Sequence, residues 1–167
     1  MKKTNSIILI LFFCSFSLFA QAKIIADLGY QVPAGDISHY SSGIGLSGGM
    51  EYYLQDSNTA ISADISYNKF SSVAIMTFTG GVRGFIKSAD SKIYPYFGAN
   101  IGFINTKRSN HAAIYKSYLA WVLEAGLRFQ MPPGSTSIDF NIKYNTGKRH
   151  GQTISFIGIN AGLAFTL

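Results

Sequence analysis

Eight charged residues stand at alternate positions among small polar side chains: Asp27, Glu51, Asp64, Arg83, Glu124, Arg128, Asp139 and Lys143. Carboxylates and cations in so sparse a setting can do two kinds of chemistry: hold one another in ion pairs, or pass a proton or ion along a path. In an antiparallel pair of strands the numbers of facing residues have a constant sum. Arg128 with Asp139 gives 267, and Glu124 with Lys143 gives the same, so one register satisfies both attractions. We read the eight as an interior polar and ionic network that plugs its own enclosure, with Asp27, Glu51, Asp64 and Arg83 gathered toward one end. A proton or ion path is the alternative use of the same groups.

Other reactive groups are dispersed. His39, His111 and His150 fall in polar connecting segments, with Asp36 and Ser41 near the first. Nucleophilic catalysis needs a base oriented by a third group, and no neighbouring segment offers His39 an obvious carboxylate. We assign no catalytic residue, and three scattered histidines define no metal site. No cofactor is implied: Gly43-Ile-Gly45-Leu-Ser-Gly48 spells a dinucleotide pattern by letter, but a strand follows where that pattern needs a helix. The net charge of +6 comes without a dense basic stripe interleaved with aromatics, so nucleic acid is not a partner.

The elements that position these groups are strands. The 167 residues are one domain's worth, 47% apolar and only 13% charged, where a soluble domain carries roughly a quarter charged residues. No apolar run reaches the ~20 residues of a membrane-spanning helix. Alternation with a period of two runs through the chain instead. Ile24, Ala26, Leu28, Tyr30 and Val32 take one face against Asp27, Gly29 and Gln31; near the other end Ile157, Ile159, Ala161, Leu163, Phe165 and Leu167 oppose Gly158, Asn160 and Gly162. Six further segments between them behave likewise, giving eight strands. At a tilt of ~45°, about 9 to 11 residues cross a bilayer, and each segment is long enough.

The first residues are a separate matter. Met1-Lys2-Lys3, the apolar stretch Ile7 to Phe19 and Ala20-Gln21-Ala22 have the layout of a secretory signal peptide, residues 1–22, leaving 23–167 as one β-barrel domain. Bulky Phe13, and the apolar stretch running on past Cys14, argue against a lipidated cysteine. The connections form two alternating sets. Gln55 to Asn58, Lys87 to Lys92 and Gln130 to Ser135 make the shorter one; Ala34 to Ser42, Lys69 to Val73, Thr106 to Lys116 and Thr146 to Gln152 contain the longest links. The less apolar strand face is Gly, Ser, Asn and Thr with eight charges, too few and too small for a wetted surface. It suits the crowded inside of a narrow barrel, with glycines making room for Phe85, Tyr96 and the arginines.

With a signal sequence, eight alternating strands, aromatic-rich ends (Tyr30, Tyr52, Tyr67, Trp121 and Tyr144 as girdle candidates) and a terminal strand running to Leu167, the chain resembles the OmpA/OmpX-type family of small bacterial outer-membrane barrels. It departs in ending on Leu167, where that family commonly has an aromatic residue. The resemblance implies an all-β, eight-stranded antiparallel up-and-down transmembrane barrel in the outer membrane, monomeric, and delivered through recognition of its last strand by the outer-membrane insertion machinery. With the termini in the periplasm, the outer loops hold Lys69, Lys107, Arg108, Lys116, Lys148 and Arg149 against Asp36 alone. Such a rim suits lipopolysaccharide phosphates, so the reading is a non-enzymatic structural or surface-interaction protein. His39 and Ser41 at a barrel rim also resemble, loosely, the lipid A acyltransferases and deacylases, which leaves a lipid A-modifying enzyme and a small channel as alternatives. Outer-membrane fractionation should recover the protein in the membrane, with unboiled and boiled samples migrating differently on a gel. A single mobility and a soluble fraction would contradict the barrel.

Overall fold

The computed structural model describes residues 22–54, 57–87, 91–108, 115–132 and 134–167, and of Arg108 and Tyr115 only the backbone. The expected leader lies outside these residues except for Ala22, which opens the first strand; His111 lies outside them too. The eight strands are β1 (Ala22–Gly35), β2 (Gly43–Tyr53), β3 (Thr59–Lys69), β4 (Val73–Phe85), β5 (Ile93–Arg108), β6 (Tyr115–Met131), β7 (Thr136–Arg149) and β8 (Gln152–Thr166). Each pairs antiparallel with the next, and β8 closes on β1 from Lys23↔Thr166 to Gly35↔Ile154. Closure is what the apolar exterior demands, because an open edge in hydrocarbon would leave N–H and C=O groups unpaired at several kcal/mol each.

The outward face is apolar over its whole circumference: Leu28, Ile44, Phe97, Ile101 and Leu119 are each more than half exposed. Trp121 and Tyr144 meet edge to face at 5.9 Å on this surface, as do Phe129 and Phe140. The start of β1, the end of β8, and the strand ends at which β2 passes to β3, β4 to β5 and β6 to β7 lie at one end, called here the terminal end; the opposite strand ends define the far end.

The far-end connections differ from expectation. Much of Thr106–Lys116 and Thr146–Gln152 is strand rather than loop, and only His150 and Gly151 join β7 to β8. Both have positive φ, 44° and 79°, as a two-residue hairpin that follows the twist of its strands requires. The far-end links are therefore not consistently the longer set, since 86–92 spans as many residues as 36–42. Polar residues such as Thr106 and Lys148 stay in register because pairing continues beyond the apolar belt.

Inside, the composition changes along the axis. Tyr53, Phe85 and Tyr96 form an aromatic layer at the terminal end, with ring centroids 5.3 Å apart in both successive pairs. The ionic residues follow, then the amides Gln31, Asn100, Asn141 and Asn160. The far third is apolar, where the expected interior was small and polar with Phe85 and Tyr96 as its aromatics: Phe70, Ile75, Ile104, Tyr118 and Phe156 pack with Ile37, Val73, Ala120 and Ile154. Phe70 and Phe156 meet edge to face at 5.7 Å across it.

Two glycines show how tightly the interior is filled. A Cβ on Gly98 would lie 2.6 Å from Cγ of Glu124, and one on Gly126 would lie 2.5 Å from Cε1 of Tyr96. On the outward face, a Cβ on Gly48 meets only the Ile25 carbonyl oxygen, at 3.7 Å. Urea unfolding in lipid vesicles should show Gly126→Ala destabilising by about 1–3 kcal/mol through overpacking. Gly48→Ala should instead be neutral or stabilising by up to about 1 kcal/mol.

Candidate functional site: an enclosed ion lattice beneath a basic rim

The sequence-derived ionic residues occupy inward positions on β1, β2, β3, β4, β6 and β7 and come together in one lattice. The β6–β7 register sets Arg128 opposite Asp139 and Glu124 opposite Lys143. Arg128 donates from Nε to Asp139 Oδ2 at 2.8 Å, and its Nη2 lies 2.7 Å from the same carboxylate. Its other contacts cross the barrel to Glu51, at 2.5 Å from Nη1 and 3.0 Å from Nη2. Arg83 grips Glu51 as well, at 2.7 Å, and reaches both oxygens of Asp64 at 2.8 and 2.9 Å. It also pairs with Glu124 through Nε, and through Nη2 at 3.1 Å. Glu51 is thus held by two guanidiniums, each of which binds at least one further acid.

Neutral groups complete the coordination. Tyr53 donates its hydroxyl to Glu51 at 3.1 Å and accepts from Arg128 at 2.7 Å, while Tyr96 donates to Asp139 at 2.6 Å. The Arg128 guanidinium carbon lies 5.1 Å from the centre of the Phe85 ring and 5.4 Å from that of Tyr96, so the aromatic layer caps it from the terminal side. Lys143 sits more loosely, with Nζ 3.7 Å from Asp27, 3.7 Å from Asp64 and 3.8 Å from Glu124. An amide relay runs from Gln31 to Asn160 at 3.0 Å, from Asn160 to Asn141 at 2.7 Å, and on to Asp139 at 3.1 Å and Asp27 at 3.4 Å.

Taking charges from water into so narrow a space is costly, and pairing with additional hydrogen bonds is what makes it tolerable. Side-chain exposure is 2% for Arg83, 1% for Arg128 and 0% for both Glu51 and Glu124, while Asp64 and Lys143, on the side of the amides, keep 12%. Between the lattice and the apolar third, a cavity of about 30 Å³ is bordered by Asp64, Asn100, Lys143, Asn160 and Phe156. It is polar and large enough to hold ordered water. The lattice sets every one of its five carboxylates within 4 Å of a cation.

The basic residues form a second group at the far end. Lys69 and Lys107 flank Ala74 in the register and, with Lys148, stand at outward-facing positions. Lys148, Arg149 and His150 border one hollow on the β7–β8 hairpin. Lys116 takes an inward register position opposite Thr106 and borders a separate hollow that Asp36 and His39 also line. Only the backbone of Arg108 is described. His39 stacks on Tyr40 with centroids 4.1 Å apart, and the Asp36 carboxylate accepts the backbone N–H of Thr153 at 2.7 Å.

Sequence reasoning missed the apolar third, although the signal was present. Continuing the inward parity of each strand past its presumed end leads from Asn68 to Phe70, from Thr77 to Ile75, from Gly102 to Ile104 and from Gly158 to Phe156. The tyrosine hydroxyls on Glu51 and Asp139 were not foreseen either.

No family model matches the chain, and no curated protein matches it. Solved structures do. Neisserial surface protein A is similar with a TM-score of 0.77 at 12% identity, over 88% of this chain and 97% of its own. The N-terminal β-barrel domain of Pseudomonas aeruginosa OprF follows at 0.57 and 14%, over 87% and 98%. The outer membrane enzyme PagL gives 0.54 and 13%, over 87% and 99%. The fold is that of the small eight-stranded outer-membrane β-barrels, as the resemblance in the sequence implied.

Arg128→Met should destabilise the barrel by about 3–5 kcal/mol, because it leaves Asp139 buried without a cation and Glu51 with Arg83 alone. Double-mutant cycles in vesicles should give a larger coupling for Arg128 with Asp139, in contact at 2.7 Å, than for Lys143 with Glu124 at 3.8 Å.

Proposed function

We propose that the protein is a non-enzymatic, monomeric barrel of the bacterial outer membrane, whose basic far end faces outward and holds lipopolysaccharide phosphates. In this reading residues 1–22 are removed on export, the termini lie in the periplasm, and β8 is the strand that the insertion machinery recognises. One observation carries the lipopolysaccharide contact: Lys69, Lys107 and Lys148 share the far end and take outward register positions. In the proposed orientation those positions, just beyond the apolar belt, meet the headgroup phosphates. Charge attraction across a short, partly dehydrated gap favours the phosphates there.

The same site argues for binding over chemistry. Among the described residues, Asp36 accepts the Thr153 N–H and His39 packs against Tyr40, and no hydrogen bond joins the two as an acid–base pair. The doubly gripped Glu51 and the Phe70–Phe156 contact argue against an open conduit.

Replacing Lys107, Arg108, Lys148 and Arg149 together by Gln should reduce lipopolysaccharide retained by the purified protein several-fold, and full retention would overturn the contact. Incubation with lipid A should leave its mass unchanged, and planar bilayers should show no discrete conductance. A deacylated product or resolved current steps would favour the enzyme or the channel instead.

A further inference from the structure

The basic residues of the far end are not spread evenly round the barrel. The register sets Lys69 of β3 opposite Ala74 of β4, and Ala74 opposite Lys107 of β5, so one row across three strands reads lysine, alanine, lysine. Two inter-strand steps put the lysine backbones about 10 Å apart. Both lysines are exposed on the outward face, and the short Ala74 side chain leaves the space between them open. Their long, flexible stems can converge there on one anion. The row is also held in place from behind. Phe70, next to Lys69, is buried in the apolar layer and its N–H donates to the Val73 carbonyl at 2.9 Å across the β3–β4 turn, while Thr106, next to Lys107, is buried too. Residues 67–76 and 105–117 contain no acid, so the row carries two positive charges with no carboxylate in either segment. Toward the middle of the barrel, Met76 and then Phe78 follow Ala74 on the outward face of β4.

We propose that this row is a site for a lipid phosphomonoester: Lys69 and Lys107 clasp one phosphate above Ala74, and the hydrocarbon of the same lipid runs down over Met76 and Phe78. The inference rests on the reading that the basic far end meets lipid phosphates, and it names the kind of phosphate and the place. Two cations converging on one anion favour the form with the greater charge. A phosphomonoester carries about −1.5 to −2 at neutral pH, whereas the phosphodiester of a common glycerophospholipid carries a single charge. The apolar side chains directly beneath the row favour a phosphate that brings a hydrocarbon tail over a soluble one. Lys148 is level in the register with Leu119 and Phe103 and does not join this row.

The test uses the barrel in phosphatidylcholine nanodiscs with alanine methyl groups labelled for NMR. Added phosphatidic acid, a monoester, should shift the Ala74 methyl signal saturably, while those of Ala125 and Ala161, exposed on the lipid face, drift linearly with lipid composition. Phosphatidylglycerol, a diester, should bind about fivefold more weakly, and inorganic phosphate at the same concentration should leave Ala74 unmoved. Lys69→Gln and Lys107→Gln should each weaken phosphatidic acid binding about fivefold, the loss of one cation at a membrane surface. Lys92→Gln removes the same charge at the terminal end and should leave the Ala74 response intact, with unboiled gel mobility confirming a closed barrel in every variant. Equal responses to the two lipids or to inorganic phosphate would overturn the proposal, and so would unchanged binding in Lys69→Gln or an equal loss in Lys92→Gln. Lipopolysaccharide retained by a protein whose Ala74 ignores phosphatidic acid sinks this site and leaves the broader contact standing. A saturable Ala74 shift in a protein that retains no lipopolysaccharide does the reverse.

Discussion

A sheet surrounded by hydrocarbon has nowhere to place an unpaired backbone group, and everything else in this molecule follows from that. The edges of β1 and β8 must meet, and eight strands meeting make a tube just wide enough for side chains. The tube must be filled, yet each strand can offer only every second residue to it. The division of labour is strict: large apolar side chains go outward, and the inside is assembled from whatever fits. Gly98 and Gly126 are the clearest marks of that limit, since each lies under a neighbour that leaves no room for a methyl group.

The choice of filling is less constrained than the wall. Packed hydrophobic side chains close the far third, so ions are not the only filling this geometry accepts. The lattice adds specificity of partnership. Arg83 and Arg128 present fixed donor forks, and Glu51, Asp64, Glu124 and Asp139 come from four different strands to meet them. A strand shifted by one residue would turn these charges toward lipid, so the lattice and the apolar belt reject the same error from opposite sides.

Much of this was legible in the sequence because β structure has a short, exact period. Alternation located all eight strands, and the constant-sum argument placed Arg128 by Asp139 and Glu124 by Lys143 without coordinates. What escaped did so for identifiable reasons. Lys148 and Thr106 look like loop residues, and their polarity hid the fact that strands run on past the membrane. Truncating those strands removed Phe70, Ile104 and Phe156 from view and with them the apolar layer that they build. Contacts across the tube, such as Arg128 to Glu51, join residues that share no strand pair. No rule of register reaches them. They depend on the diameter and stagger of the closed barrel.

The reach of Arg128 to Glu51, 77 residues apart along the chain, bears on how the molecule is made and how long it lasts. While the cylinder is still open these charges have no counterpart and must stay hydrated, so their mutual attraction cannot speed the early steps of assembly. It comes into force only at completion. Interactions that are missing at the crest of the barrier and present afterwards act almost wholly on the rate of escape. The reward for late pairing is persistence: the ion pairs hold the finished barrel shut without hastening its closure.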